Sequence, residues 1–386
     1  MTQIKDLEYK VQELLNLLEA FKQLNSNIEI DEVFQNILLQ MVQVIGAEAG
    51  TLWVVNSDKQ NVEAVAAYGP TSSAILNIKL AKKEGIVGKV IETGQAELIE
   101  NVAEHADWAN RVDVSSGFVT KSMITVPLKV KGTVLGALQL LNKKTVAFFS
   151  EQDITLALAL ASQSALALHN SQMYDELYRM FLSMIRTLAK VLDARDPYTA
   201  GHSERVAKYS LWIAKKLGMA GGASDELYKA ALLHDIGKIG IPDDILRKPS
   251  GLTKIEYETI KQHTIIGADI LSNMEPKSAL VHAIQTARSH HERLDGTGYP
   301  DQLKGEEIPW FARIVGVADA FDAMTTARSY SKGMSFKDGA AELLRCRNIL
   351  FDANIVDAFV AILEECSYQV DKYEAGNGES NFYGSV

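Results

Sequence analysis

Cysteine is almost missing from this chain: Cys346 and Cys366 are the only two in 386 residues. That excludes a disulfide-stapled scaffold and suits a reducing compartment. Long apolar runs are also missing, since none approaches the roughly 18 residues of a membrane-spanning helix; no membrane span is expected. The opening stretch MTQIKDLEYK is charged and amphipathic where a secretory signal would carry an apolar core, so a cytoplasmic location is expected. An excess of basic charge is lacking too. The net charge of −10 argues against general DNA or RNA binding, which needs a basic face. A small anionic ligand stays compatible with it, provided metals or local Lys and Arg supply positive charge. What is present is an ordinary globular balance, 47% apolar and 23% charged, over a length suited to roughly two to three domains. Histidine is the unevenly spread residue: six of the eight fall between His202 and His291.

Ile4, Leu7, Val11, Leu14, Leu18 and Phe21 alternate steps of three and four, which fits either a short coiled-coil seam or a docked amphipathic helix over residues 1–26. From about 27 to 170 helical and strand patterns mix. EVFQNILLQMVQVIGA reads as a helix, and GTLWVV and VEAVAAY as strands. SMITVPLKV and TVLGALQLL flank Lys131-Gly132, the pattern of a β-hairpin. A long helix is expected after Ser150, which stands three residues before Asp153 and can cap it. The expectation is an α+β domain, an antiparallel sheet flanked by helices. Beyond 171, strand patterns give way to helical ones, so residues 171–372 are expected to form an all-α domain. Leu177, Phe181, Met184, Leu188 and Val191 keep a 4-3-4-3 spacing that fits either a helical connector or the first core helix of that domain. The Gly/Ser/Asn-rich stretch 373–386 is expected to be disordered.

Chemistry-bearing residues recur through the second region: His202, the pair His234-Asp235, His263, the pair His290-His291, and Asp319. Imidazole suits first-row transition metals, and a carboxylate can bridge two of them. Successive residues on a helix point about 100° apart, so a His-Asp pair can serve two directions at once. Asp235 is the natural bridge, with His202, His234 and Asp319 on one ion and His263, His290 and His291 on the other. A lone buried histidine is more often a satisfied core residue; seven such positions in one helical domain are not explained that way. Two ions about 3.5–4 Å apart polarise a bridging water and stabilise charge on a phosphoryl group under attack. Lys238, four residues after His234, would face the same centre and bind a phosphate oxygen, unless it is simply a solvated helix lysine.

HDIGK resembles the HD metal-dependent phosphohydrolase superfamily, and HHERLDGTGYP with IPWFARIVGVADAFDAMTTARSY resembles its HD-GYP branch, in order from about Asp196 to Tyr330. The resemblance implies an all-helical domain with a non-haem binuclear centre and hydrolysis of cyclic di-GMP to pGpG or on to GMP. It places His202, His234, Asp235, His263, His290, His291 and Asp319 at the metal positions and Lys238 near the scissile phosphate. Iron or manganese is the implied metal, with zinc and nickel open. Gly298, Tyr299 and Pro300 form the signature loop, with Gly296 and Gly298 leaving room for close approach to a ligand. Arg328 matches an arginine that grips substrate phosphate, and Asp322 is a candidate to support a ligand rather than be one. Two positions depart from the pattern. Tyr198 stands where some members carry an extra glutamate ligand, which favours two metals over three. Ser331 stands where a lysine is common, leaving Lys332 as a substitute.

Residues 27–170 resemble a GAF domain by layout. Asn142, Lys143, Phe149 and Asp153 are similar to a motif of cyclic-nucleotide-binding GAF domains, though Asn-Lys at a strand end and a core Phe would look the same. With no cysteine before 346, a thioether-linked bilin is excluded; a diffusible small molecule, a haem, or a purely dimerising role stays open. The resemblance thus implies a GAF-regulated cyclic di-GMP phosphodiesterase, a homodimer through its helical segments, with a diguanylate cyclase (GGDEF) as a partner. The alternatives are a silent HD-GYP binding protein and a phosphohydrolase for another cyclic dinucleotide or nucleotide.

Overall fold

A computed structural model describes residues 30–368, apart from 57–59, 71, 77, 106–112, 114–116, 147, 196–200, 220 and 327–332. The expected N-terminal helix over 1–26 and the tail 373–386 lie outside the described residues, as do Tyr198, Arg328, Ser331 and Lys332. The chain divides into two compact units between Leu177 and Tyr178.

The first unit is a six-stranded antiparallel sheet with helices on both faces. In chain order its labelled elements are α1 (Ile30–Ile45), β1 (Ala47–Val55), β2 (Asn61–Tyr68), β3 (Lys79–Ala81), α2 (Gly85–Thr93), β4 (Glu97–Ile99), β5 (Met123–Val130) and β6 (Thr133–Lys143). The strands lie in the order β3-β2-β1-β6-β5-β4. Lys131 and Gly132 both take positive φ between β5 and β6. That is the two-residue turn whose twist matches its flanking strands, as the sequence led one to expect. Alternation in β5 sends Ile124, Val126 and Leu128 to one face, where they pack with Leu38, Met41 and Val42 of α1. Met123 goes to the other, with Trp53 and with Ile86, Val87 and Val90 of α2.

A 45-residue helix, α3 (Glu151–Arg195), follows. Ser150 starts it as expected: its hydroxyl accepts from the Asp153 amide at 3.3 Å while the Asp153 carboxylate takes the Ser150 amide at 2.8 Å. Ala157, Leu160, Ala161, Ala165 and Leu168 of α3 belong to the core of the first unit. Ile185 and Ala189 belong to that of the second. The spacing Leu177–Val191 is thus not the core face: Leu177, Met184, Leu188 and Val191 are exposed, and only Phe181 packs against the core. Period alone marks an apolar stripe without saying which stripe is covered.

The second unit is helical: α4 (His202–Lys216), α5 (Gly221–Leu233), α6 (Lys254–Ser272), α7 (Val281–Ser289), α8 (Trp310–Thr325), α9 (Phe336–Cys346) and α10 (Ala353–Glu365). Among the described residues its only β pairing is an isolated bridge, Arg347 to Phe351. Tyr209 of α4, Phe321 of α8 and Phe359 of α10 meet edge-on or tilted with centroids 4.9–5.6 Å apart, tying three helices into one core.

Candidate metal centre

Seven side chains from five places in the helical unit converge. His202 is the first residue of α4, His263 lies within α6 and Asp319 within α8. The two adjacent pairs are not within helices, as the 100° argument assumed. His234-Asp235 forms the turn after α5, and His290-His291 the turn after α7. This has a physical reason. The last carbonyls of a helix have acceptor capacity to spare, and the imidazoles use it: His234 Nδ1 lies 2.7 Å from Ala231 O, and His290 Nδ1 3.1 Å from Ala287 O and 3.0 Å from Thr286 O, which also accepts from the His290 amide. His263 Nδ1 similarly lies 2.6 Å from Ile260 O. A carbonyl only accepts, so in each case Nδ1 carries the proton and Nε2 presents a lone pair.

Those lone pairs face two groups of donors: Asp235, His263, His290 and His291 in one, His202, His234 and Asp319 in the other, with all ligand atoms of a group within 4.8 Å of one another. Asp235 divides its carboxylate between them. Oδ1 lies 3.3 Å from His263 Nε2 and 3.8 Å from His290 Nε2. Oδ2 lies 3.3 Å from His234 Nε2 and 3.7 Å from His202 Nε2. Lys238 reaches the same Oδ2 at 2.7 Å. It does so from a tight 3-10 turn, Ile236–Gly240, and not from one helical turn after His234.

The residues fit a pair of cations on the structure's own terms. His234 Nε2 and Asp235 Oδ1 are buried with no hydrogen-bond partner, which is costly unless something electropositive stands beside each of them. His263 Nε2 and His290 Nε2 face each other at 3.4 Å, two acceptors with no proton to share. Electrostatics agree. Burial, reinforced by neighbouring histidines, pushes His290 down to about 3, and burial likewise lowers His263, so both stay neutral ligands. Burial opposes ionisation of Asp235, but Lys238 and His234 outweigh it and hold the carboxyl well below its usual range. His202 runs the other way: burial disfavours its charge, yet hydrogen bonds to Asp319 and Asp322 raise it to about 9.

Asp322 stands one turn from Asp319 on α8, with Oδ2 2.8 Å from His202 Nδ1. Arg205 grips both its oxygens, Nε to Oδ1 at 2.6 Å and Nη2 to Oδ2 at 3.0 Å. Tyr299 stacks on His291 with centroids 4.8 Å apart at 30°, and Lys261 Nζ lies 5.4 Å from the Tyr299 ring. The room that Gly298 leaves is taken by the chain itself and not by a ligand. A Cβ there would stand 2.4 Å from Glu292 Cα and 2.6 Å from His291 O. Gly296 has a positive φ, and the Lys304 side chain fills its open side. Pro300 completes the loop, which buried Glu292 pins by accepting from Asp301 N at 2.7 Å and Leu303 N at 3.1 Å. Sequence reading missed Glu292, Lys261 and Arg205; the one available signal was adjacency, Glu292 following the His pair directly.

In the first unit, Asn142, Lys143, Phe149 and Asp153 come together as an internal brace. Lys143 pairs with Asp153 at 2.6 Å and lies 5.9 Å from the Phe149 ring centroid, and Phe149 is buried in the sheet–helix core. Asn142 donates to Glu48 Oε2 at 2.9 Å and to Val119 O at 3.0 Å, and accepts from Lys121 N at 2.8 Å. Their polar atoms are engaged within the chain.

Family models match both parts: a GAF domain over residues 27–169 and an HD domain over residues 186–355. By these matches residues 27–169 are a GAF domain and residues 186–355 an HD domain. Among curated relatives, a cyclic di-GMP phosphodiesterase of Thermotoga maritima is 40% identical over 205 residues, covering 53% of this chain and 55% of that one. A probable cyclic di-GMP phosphodiesterase of Vibrio cholerae is 38% identical over 206 residues, covering 50% and 46%. A 3'3'-cGAMP-specific phosphodiesterase of the same organism is 37% identical over 213 residues, covering 55% and 45%. The chain spans about half the length of the curated relatives it matches. Among the described residues no helix is long and apolar enough to cross a membrane.

Proposed function

We propose that this protein is a phosphodiesterase that opens cyclic di-GMP, giving pGpG or continuing to GMP, under control of its GAF domain. The observation that carries this is the division of the Asp235 carboxylate between two donor groups, with Asp235 Oδ1 and His234 Nε2 buried and without hydrogen-bond partners. His202, His234 and Asp319 would hold one divalent ion and His263, His290 and His291 the other, iron or manganese by the resemblance. Bound there, two such ions supply Lewis acidity toward a phosphoryl oxygen and lower the pKa of water. The chain's own residues do the rest. Asp235, kept ionised by Lys238, offers an oxygen to each side. Lys238, 17% exposed at its side chain and 2.7 Å from Asp235 Oδ2, can meet a phosphate oxygen. Lys261 and Tyr299 add a cation and an aromatic face beside His291, a pairing suited to a nucleotide. By the resemblance, Arg328 or Lys332 would grip a substrate phosphate.

The direct test is elemental analysis of anaerobically purified protein together with chromatography of cyclic di-GMP products. The His234→Ala, Asp235→Ala double variant is expected to lose both bound metal and turnover; full activity in it refutes the assignment. A relative named for 3'3'-cGAMP makes that dinucleotide the comparison substrate, and preferential turnover of it would shift the substrate while keeping the chemistry.

We also propose a homodimer through α3. Leu166, Met173, Met180 and Leu177, Met184, Val191 are exposed and repeat every seven residues along one helix. A heptad stripe fits a second helix of the same pitch, which another copy of this chain supplies.

A further inference from the structure

The end of α3 holds two of the segments that build the metal centre. Arg195, its last residue, spreads one guanidinium over three main-chain carbonyls: Nη1 to Lys238 O at 3.1 Å and Ile239 O at 2.6 Å, Nη2 to Ile241 O at 2.8 Å. Its Nε meets Asp243 Oδ1 at 2.9 Å. Two residues earlier, buried Asp193 accepts from the Ser203 hydroxyl at 2.8 Å and the Ser203 amide at 3.4 Å. Ser203 follows His202, and the three carbonyls belong to the turn that leaves Asp235 and carries Lys238.

The chemistry explains the residue types. A short 3-10 turn ends in carbonyls with few partners of its own, and only arginine offers a rigid fork of donors wide enough for several at once. The opposite side of this turn has no slack. A Cβ on Gly237 would lie 1.8 Å from His263 O and 2.4 Å from Gly267 N, so the turn rests directly on the α6 backbone. The Asp235–Ile241 segment is thus held between α6, which carries His263, and Arg195.

We propose that Arg195 and Asp193 are positioning residues that set where Lys238, Asp235 and His202 stand, making the end of α3 the input through which that helix acts on the metal centre. The activity arm rests on the phosphodiesterase reading; the other arms do not. A plain helix-end stabiliser would lower melting temperature and leave the folded centre unchanged.

The test uses the full chain with Arg195→Gln, Arg195→Lys, Ser203→Ala and, as control, Asp243→Asn. Three quantities are read: amide hydrogen exchange over 236–241, manganese affinity, and kcat and KM on cyclic di-GMP. In Arg195→Gln, exchange over 236–241 is expected to rise at least about tenfold and manganese affinity to fall about 10- to 100-fold, the range for groups that orient ligands. Its kcat is expected to fall at least about tenfold with KM within about twofold, as for a displaced group acting in the transition state. Arg195→Lys, reaching fewer carbonyls, should recover part of each, and Asp243→Asn should match wild type. Ser203→Ala should weaken manganese binding without changing exchange over 236–241. If Arg195→Gln does not fold, Arg195→Lys and Ser203→Ala decide the matter. Wild-type exchange, affinity and kcat in the folded variants overturn the proposal. A wild-type protein that cleaves no cyclic di-GMP sinks the substrate reading instead, leaving exchange and affinity to judge the positioning role of Arg195 and Asp193.

Discussion

At the scale of single residues, the centre tolerates little, because its ligands are set by backbone contacts. Gly237→Ala would drive a methyl into His263 O, and the 3-10 turn must move away. Bound metal is expected to fall at least about tenfold, with a stability loss of about 1–3 kcal/mol typical of overpacking, checked by elemental analysis and denaturant titration. Asp322→Asn keeps the shape but removes the charge that orients His202 and pairs Arg205. Metal affinity is expected to drop about 10- to 100-fold, measured by competition with a chelator. The seven donors were legible in the sequence, because His and Asp in that order have few other reasons to cluster. Their supports were not. Glu292, Arg195 and Arg205 act through contacts that only the tertiary fold creates, and Gly298 reads as room for a ligand until Glu292 and His291 are seen to fill it.

At the scale of elements, the brace joining the end of β6 to the start of α3 is sensitive to acid. Burial tends to raise the Asp153 carboxyl, but hydrogen bonds from Lys143 and Ser150 prevail and hold it below its usual value. A depressed carboxyl contributes stability above its unfolded pKa, near 3.8, and loses that contribution as pH falls through the lower folded value. Asp153→Asn is therefore expected to destabilise the first unit by about 1–3 kcal/mol at pH 7, and the gap should close as pH falls below 3.8 through the lowered folded value. Thermal melts of both proteins across that range check it. The hairpin at Lys131-Gly132 and the cap at Ser150 were readable because each is encoded within a few residues. The apolar stripe on α3 was readable as a stripe, but which face the cores cover depends on partners far along the chain.

At the scale of the whole molecule, two cores share one helix, and only one of them contains the donor clusters. Chelation is expected to lower the melting transition of the helical unit by at least about 5 °C, since a bound ligand stabilises the fold that holds it. The GAF unit's transition should not move, and calorimetry with and without chelator distinguishes the two. Leu177→Glu with Met184→Glu places charge on the exposed heptad stripe. Light scattering should then show a lower mass than wild type, with the secondary structure unchanged by circular dichroism. Two units were foreseeable from the change in periodicity near 171. The 4-3-4-3 spacing across that point left a connector and a first core helix open, and one helix does both: with neither Gly nor Pro in its middle to break it, it runs on and enters both cores.

Three of the imidazoles tether one ring nitrogen to a carbonyl of their own or the preceding helix turn, His234 to Ala231, His263 to Ile260 and His290 to Thr286. Their other nitrogens are thereby aimed before any ion arrives, and the cradle comes ready-made from the folding of ordinary helices. Swapping one transition metal for another would then require no rebuilding of the protein, so any ion bound there would reflect what its surroundings supply as much as what the chain prefers.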